Sequence, residues 1–141
     1  MLAKRLLTVA AFSDYCGARP GWPGGAAVPA VLARVEPLTE SPMETRLRVI
    51  IIDGGLPRPV AQYRAQQGRR FLGRLDLAYP QWKIGIEYDG DHHRDPEAFR
   101  ADMIRLNALR VAGWTILRFS ATDVFRNPGR IVKQIRAVIP A

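Results

Sequence analysis

The chain is poor in several residue types that would each announce a chemistry. A single cysteine, Cys16, stands among 141 residues, and a lone thiol makes no intramolecular disulfide and no multi-cysteine zinc site. No apolar run reaches the roughly 18 residues of a membrane span. The opening MLAKRLLTVAAF sets two basic residues before an apolar stretch. That stretch is at the short end for a signal peptide and no clear cleavage site follows, so it reads as ordinary sequence and a cytoplasmic location is the default expectation. Lysine is scarce, three against eighteen arginines, and histidine occurs only twice. Aromatic residues at 9% and apolar residues at 48% still suffice for a packed core, which excludes a disordered chain.

The net charge is +8 and comes almost wholly from arginine. Guanidinium forks match phosphate geometry, so nucleic acid is the leading partner and a membrane surface a weaker one. The alternative is an arginine-rich coding bias whose charge merely solvates the surface. Against this basic background, six of the thirteen acidic residues fall between Glu87 and Asp102, and both histidines, His92 and His93, lie in the same stretch. A basic protein that gathers carboxylates and imidazoles in one place reads as a polyanion binder with a metal site. Oxygen and nitrogen donors of this kind suit a hard divalent cation, Mg2+ or Mn2+.

Residues 1–40 are rich in Gly, Pro and Ala, with a turn-forming Pro20-Gly21-Trp22-Pro23-Gly24-Gly25 run. Short helices over Leu2–Phe12 and Ala26–Glu36 look too small for a core of their own, so this part reads as an appendage or the remnant of an upstream module. From residue 41 the signals sharpen. Ser41-Pro42-Met43-Glu44 reads as N-cap, first-turn proline and capping-box glutamate of a helix that carries Met43, Leu47, Ile50 and Ile51 on one face and stops at Gly54-Gly55. Strands are expected over Val60–Arg64, Arg70–Tyr79, Trp82–Asp89 and Trp114–Phe119. Helices are expected from Pro96 to about Val111, closed by Gly113, and from Pro128 to Ile139. The order predicts an α/β fold with a mixed central sheet flanked by helices, the last two strands joined by a right-handed parallel crossover.

Alternation in the second strand puts Leu75, Leu77 and Tyr79 on one face and Arg74, Asp76 and Ala78 on the other. A two-residue turn at Pro80-Gln81 would set Asp76 opposite Gly85 and diagonal to Glu87, within roughly 7–8 Å, with Asp89 one pleat further. Asp76 and Glu87 could then share one divalent ion, with Gly85 leaving room for metal, water or phosphate. His92 and His93 would stand at the mouth of the strand, where an imidazole can ligate metal or move a proton near neutral pH. Two readings of Glu44 stand side by side: a capping residue, and a group that reaches the cation through water. Asp102 and Arg105, three apart on a helix, form either a pair that orients the site or a surface ion pair worth little.

A helical glutamate, then Asp76, then Glu87-x-Asp89-Gly90-x-x-His93 resembles the restriction-endonuclease-like PD-(D/E)XK superfamily. More closely, it is similar to a branch of small bacterial domains related to the very-short-patch-repair endonucleases. The resemblance covers residues 41–141 and includes Asp102-x-x-Arg105-x-x-x-Leu109 and Gly113-Trp114-x-x-x-Arg118-Phe119. It implies an αβββαβ core and Mg2+- or Mn2+-dependent hydrolysis of DNA phosphodiesters. Asp76 would be the principal metal ligand, Glu87 the second acid, the Tyr88 carbonyl a further metal contact and His93 the catalytic or ligating histidine. The chain departs from the pattern where the motif lysine would stand, at Asp89. Lys83 shares the face but lies four residues, about 13 Å, from Glu87 along the strand, so Arg74 or Arg94 is left to steady the transition state and His93 to take the proton. The departure keeps open an inactive DNA-binding module, and a toxin–antitoxin or defence component acting through a protein partner. Phosphoesterases named for an Asp-His-His triplet need further acidic motifs that this chain lacks, and an HNH nuclease needs a later histidine.

Overall fold

The computed structural model describes residues 8–18, 21, 23, 25–36, 38–90 and 95–140. Its elements, in chain order, are helices α1 (Val9–Gly17), α2 (Val28–Leu32) and α3 (Pro42–Asp53), strands β1 (Val60–Gln67), β2 (Arg70–Tyr79) and β3 (Ile84–Asp89), helix α4 (Pro96–Val111), strand β4 (Thr115–Ser120) and helices α5 (Ala121–Arg126) and α6 (Pro128–Val138). The strands form one sheet in the order β1-β2-β3-β4. The first two pairings are antiparallel, and β3 runs parallel to β4 across the α4 crossover. From α3 to β4 this is the expected αβββαβ order.

Local chemistry accounts for the helix ends. The Ser41 hydroxyl accepts the Glu44 N–H at the start of α3, Pro42 sits in the first turn, and Gly55 at φ +73° follows its end. At α4, Asp95 accepts the N–H groups of Glu97 and Ala98, Pro96 opens the first turn, and Gly113 at φ +86° leads the chain out. Helix α5 was not anticipated. Its start carries a reciprocal Ser120–Asp123 capping box, a sequence signal that was there to be read. The expected Leu2–Phe12 helix lies partly outside the described residues, and the expected Ala26–Glu36 helix is a 3-10 turn followed by the short α2.

Two apolar layers enclose the sheet. On one face, Leu47 and Ile51 of α3, Val124 of α5, and Ile131 and Ile135 of α6 pack on Leu77, Tyr79, Ile84, Ile86 and Phe119. On the other, Leu109 and Ala112 of α4 close over Ala65, Leu75, Ala78 and Trp114. Leu75 and Leu77, expected on one face, therefore belong to opposite layers. The pairs Ala61–Leu77 and Tyr63–Leu75 keep one register, yet Ala61 and Leu77 face the α3 layer while Tyr63 and Leu75 face α4. Both strands roll over at the Gln62–Asp76 step, where Gln62 takes a left-handed φ of +50°. A non-glycine residue rarely adopts that conformation, and here it breaks the two-residue alternation that the expectation assumed.

The β2–β3 reversal also differs from the two-residue turn expected. Tyr79 pairs with Ile84, and the loop is a 3-10 turn, Pro80–Trp82, closed by left-handed Lys83. Lys83 is thus outside the strand, and its ammonium donates to the Ala112 carbonyl at 3.0 Å. The longer loop shifts the register by two residues, so continuing the ladder sets Asp76 level with Glu87.

Residues 25–36 lean on this body through arginines. Arg34 pairs with Asp53 at 2.9 Å, and Arg58 donates to the carbonyls of Ala33 and Val35. The side chain of Arg48 is wholly buried and donates to the Arg34 carbonyl, with Glu36 at 4.0 Å.

Candidate active site

The acid groups expected at the site lie where β2 and β3 cease to pair. Leu77–Ile86 is the last rung of that ladder. Beyond it the Asp76 carboxylate takes the place of a backbone acceptor, its Oδ2 receiving the Tyr88 N–H at 2.9 Å. Burial pushes the Asp76 carboxyl up to about 6. The Tyr88 hydrogen bond opposes the shift, the negative charges of Glu44 and Glu87 add to it, and Arg105 offsets part of it. Glu44 arrives from the first turn of α3 and is 8% exposed. Its Oε2 accepts the Glu40 N–H at 2.9 Å and the Gln62 amide at 2.8 Å. Its carboxylate is therefore held facing the strands and does not return to the Ser41 N–H. The left-handed turn at Gln62 is what accompanies that aim.

Glu87 is 5% exposed and lies under α4. Arg105 grips it with both arms of the fork, Nη1 to Oε1 at 2.7 Å and Nη2 to Oε2 at 3.0 Å. The same guanidinium reaches Asp102 at 2.7 Å. Hydrogen bonding to Glu87 raises the Arg105 pKa most, ahead of the Asp102 contribution, and burial lowers it. Arg118, level with Glu87 on the neighbouring parallel strand, lies 3.4 Å from Glu87, 3.8 Å from Asp89 and 3.0 Å from Asp102. Three carboxylates and two guanidiniums thus form one network, and Asp102 and Arg105 are part of it rather than a detached surface pair. Bidentate guanidinium contacts of this kind are directional and hold a carboxylate in a fixed orientation.

Other expected residues stand elsewhere. Arg74 makes a bidentate pair with Glu40, both arms at 2.8 Å. The space beside Gly85, expected to admit metal, water or phosphate, is filled. A Cβ there would meet Ile116 Cδ1 at 2.8 Å and Leu75 Cδ1 at 2.9 Å. His92, His93 and Arg94 lie outside the described residues. Two residues were overlooked as site groups. The parallel pairing of β3 with β4 would have brought Arg118 to Glu87, whereas nothing in the sequence marks Gln62.

Among the described residues, no three aspartate, glutamate, histidine or cysteine side chains stand close enough to enclose an ion. The donors that converge are hard oxygens. Burial, with a smaller addition from the charges of Glu44 and Glu87, holds the Asp76 proton well above the ordinary carboxylate range. A divalent cation would offset the cost of ionising Asp76 there, and carboxylate oxygens suit a hard metal, so the donors fit it in chemistry.

The family model described as REase_MTES_1575 matches residues 60–139, from β1 to the residue after α6. Uncharacterised proteins from two strains of Mycobacterium tuberculosis are each 36% identical over 97 residues, which cover 68% of this chain. This chain spans only 36% of the length of those relatives. A protein of Neisseria meningitidis serogroup C named as the type II nicking enzyme V.NmeDIP is 26% identical, with 55% of this chain and 66% of the relative covered. No solved structure matches. With the family model spanning the whole sheet, α4 and the acid–arginine network, the chain belongs to the REase_MTES_1575 family of restriction-endonuclease-like domains.

Proposed function

We propose that this domain hydrolyses DNA phosphodiesters with a divalent metal, as a nickase or endonuclease. The observation that carries the reading is the half-buried Asp76, level with Glu87 at the point where the two strands part, with its proton affinity raised by burial and by neighbouring acids. Asp76 and Glu87 would hold Mg2+ or Mn2+, with the Tyr88 carbonyl as a further donor. When bound, the ion supplies an activated water and neutralises charge on the phosphate. The chain's own residues have the remaining tasks. Arg105 fixes the orientation of Glu87. Arg118 brings a cation beside Glu87 and Asp89, the place where the family pattern has lysine. From β4 it serves better than Arg74, whose charge is engaged by Glu40. His93 is the candidate to take the proton. The match to a named nicking enzyme supports the same chemistry.

A second reading has its own support. Both Glu87 oxygens accept from Arg105, and Asp89 stands at the lysine position, so the domain could be an inactive module that holds DNA through its arginines. The discriminating experiment incubates the purified chain with supercoiled plasmid and Mn2+ or Mg2+. Conversion to open circle by the parent, and none by Asp76→Asn, upholds hydrolysis. A chain that shifts DNA in EDTA and never nicks it with metal is the binding module.

A further inference from the structure

The network around Glu87 leaves unexplained the far end of the β1–β2 hairpin. The two strands pair from Val60–Ala78 out to Gln67–Arg70, whereas β3 accompanies β2 only at Leu77, Ala78 and Tyr79. Beyond the Gln62–Asp76 roll the hairpin is therefore a two-stranded ribbon. Helix α4 covers one side of its base, where the Arg105 stem lies against Gly73. The tip is uncovered, and Gln66 to Phe71 are six consecutive exposed residues around a glycine turn at Gly68, φ +59°.

The chemistry of that tip is one-sided. From Tyr63 to Leu75 there is no aspartate or glutamate, while Arg64, Arg69, Arg70 and Arg74 all fall there, with Gln66 and Gln67 between them. Arg74 is engaged by Glu40. No carboxylate among the described residues pairs with Arg64, Arg69 or Arg70. Arg64 instead lies over the ring of Phe71, 4.5 Å from its centroid, and that ring is 49% exposed. Charge on an edge strand also discourages sheet-to-sheet aggregation. That role needs no glutamines and no exposed aromatic ring beneath a guanidinium.

We infer that the Arg64–Phe71 tip is a DNA-binding ribbon that enters the major groove, a deepening of the nuclease reading from which it takes DNA as the ligand. A two-stranded ribbon fits that groove, arginine forks grip phosphates and guanine edges, and glutamine pairs with adenine. Arg70 is six residues from Asp76 on one strand, or about 20 Å, a span equal to about six base pairs of duplex. One duplex is therefore long enough to reach both site and ribbon.

The test is binding of the full chain to a fluorescent 30-base-pair duplex in EDTA across a salt series, so that hydrolysis plays no part. Arg69→Ala/Arg70→Ala should weaken binding at least tenfold at moderate salt. It should also flatten the dependence of log affinity on log salt by about two, close to 0.9 for each phosphate contact. Arg69→Lys/Arg70→Lys should restore most of the slope, which separates charge from any folding defect. A duplex whose cytosines carry glucosylated hydroxymethyl groups, which fill the major groove, should bind the parent chain as weakly as plain duplex binds the alanine variant. Unchanged affinity and slope in the alanine variant overturn the ribbon, even if the parent nicks plasmid. Full affinity for the glucosylated duplex overturns the groove assignment. A ribbon-dependent slope in a chain that never nicks upholds the ribbon and removes the nuclease reading.

Discussion

Replacing Asp76 with asparagine removes one charge and keeps one acceptor. The amide oxygen can still receive the Tyr88 N–H that Asp76 Oδ2 now accepts at 2.9 Å. What disappears is an ionised carboxylate in a half-buried place near Glu44 and Glu87. The Asp76 carboxyl is raised from 3.8 to about 6 in the folded chain, so the folded state holds this proton more tightly than the unfolded state does. The sign follows. The contribution to stability is fully present below about pH 4 and is lost as pH rises through about 6; above that the ionised group is a constant penalty. A shift of that size corresponds to about 3 kcal/mol at most, and solvent screening of a partly exposed group brings it to about 1.5–2 kcal/mol. Asp76→Asn should therefore match the parent near pH 4 and exceed it by about 1.5–2 kcal/mol near pH 8, or roughly 6 °C in Tm for a chain of this size. The assay is urea and thermal unfolding of both proteins in EDTA between about pH 4 and 8, followed by the same scans with millimolar Mn2+. Mn2+ should raise the Tm of the parent and leave the variant unmoved. A variant that is no more stable near pH 8, or a difference that does not change with pH, refutes the claim that folding raises the proton affinity of Asp76.

Glu87→Gln takes from Arg105 and Arg118 the carboxylate they share, and breaking a buried pair from one side costs about 3–5 kcal/mol before discounting the partial exposure of both arginines; denaturant midpoints should show about 2–3 kcal/mol, and midpoints like the parent's would mean that the network contributes nothing. Gly85→Ala places a methyl 2.8 Å from Ile116 and 2.9 Å from Leu75, an overpacking that costs about 1–3 kcal/mol, and Leu75→Ala in the same chain should recover part of the loss in a double-mutant cycle. At Gln62, φ +50°, glycine should be more stable than alanine by about 1 kcal/mol in urea unfolding, because both lose the Glu44 hydrogen bond but only alanine keeps the left-handed strain.

The parts of the fold that local chemistry dictates were legible. The limits of β2 and the span of α4 follow from alternation, a first-turn proline and a following glycine, and the structure places both where the sequence pattern does. What the pattern missed was non-local or backbone-determined. The roll at Gln62–Asp76 depends on a left-handed glutamine, and alternation assumes a uniform pleat. The loop after Tyr79 proved longer than two residues, yet it changed the register by an even number and left Asp76 beside Glu87. At the site, Asp76, Glu87, Glu44, Asp102 and Arg105 could be nominated from type and spacing. That Arg105 would grip both Glu87 oxygens could not, because it comes from a helix 18 residues away in the chain, whereas the parallel pairing of the last two strands already pointed to Arg118.

The way Arg48 is held bears on how the protein can be dissected. Its buried guanidinium gives its one hydrogen bond to a carbonyl fourteen residues upstream, at Arg34, and its other nitrogens have no hydrogen-bond partner. A boundary drawn at residue 40, where the composition changes, would sever that carbonyl from the helix it serves. The shortened body would be left with an orphaned cation in its interior. The segment around Arg34 and Glu36 behaves as a plug seated in the body, and trimming it would unseal it.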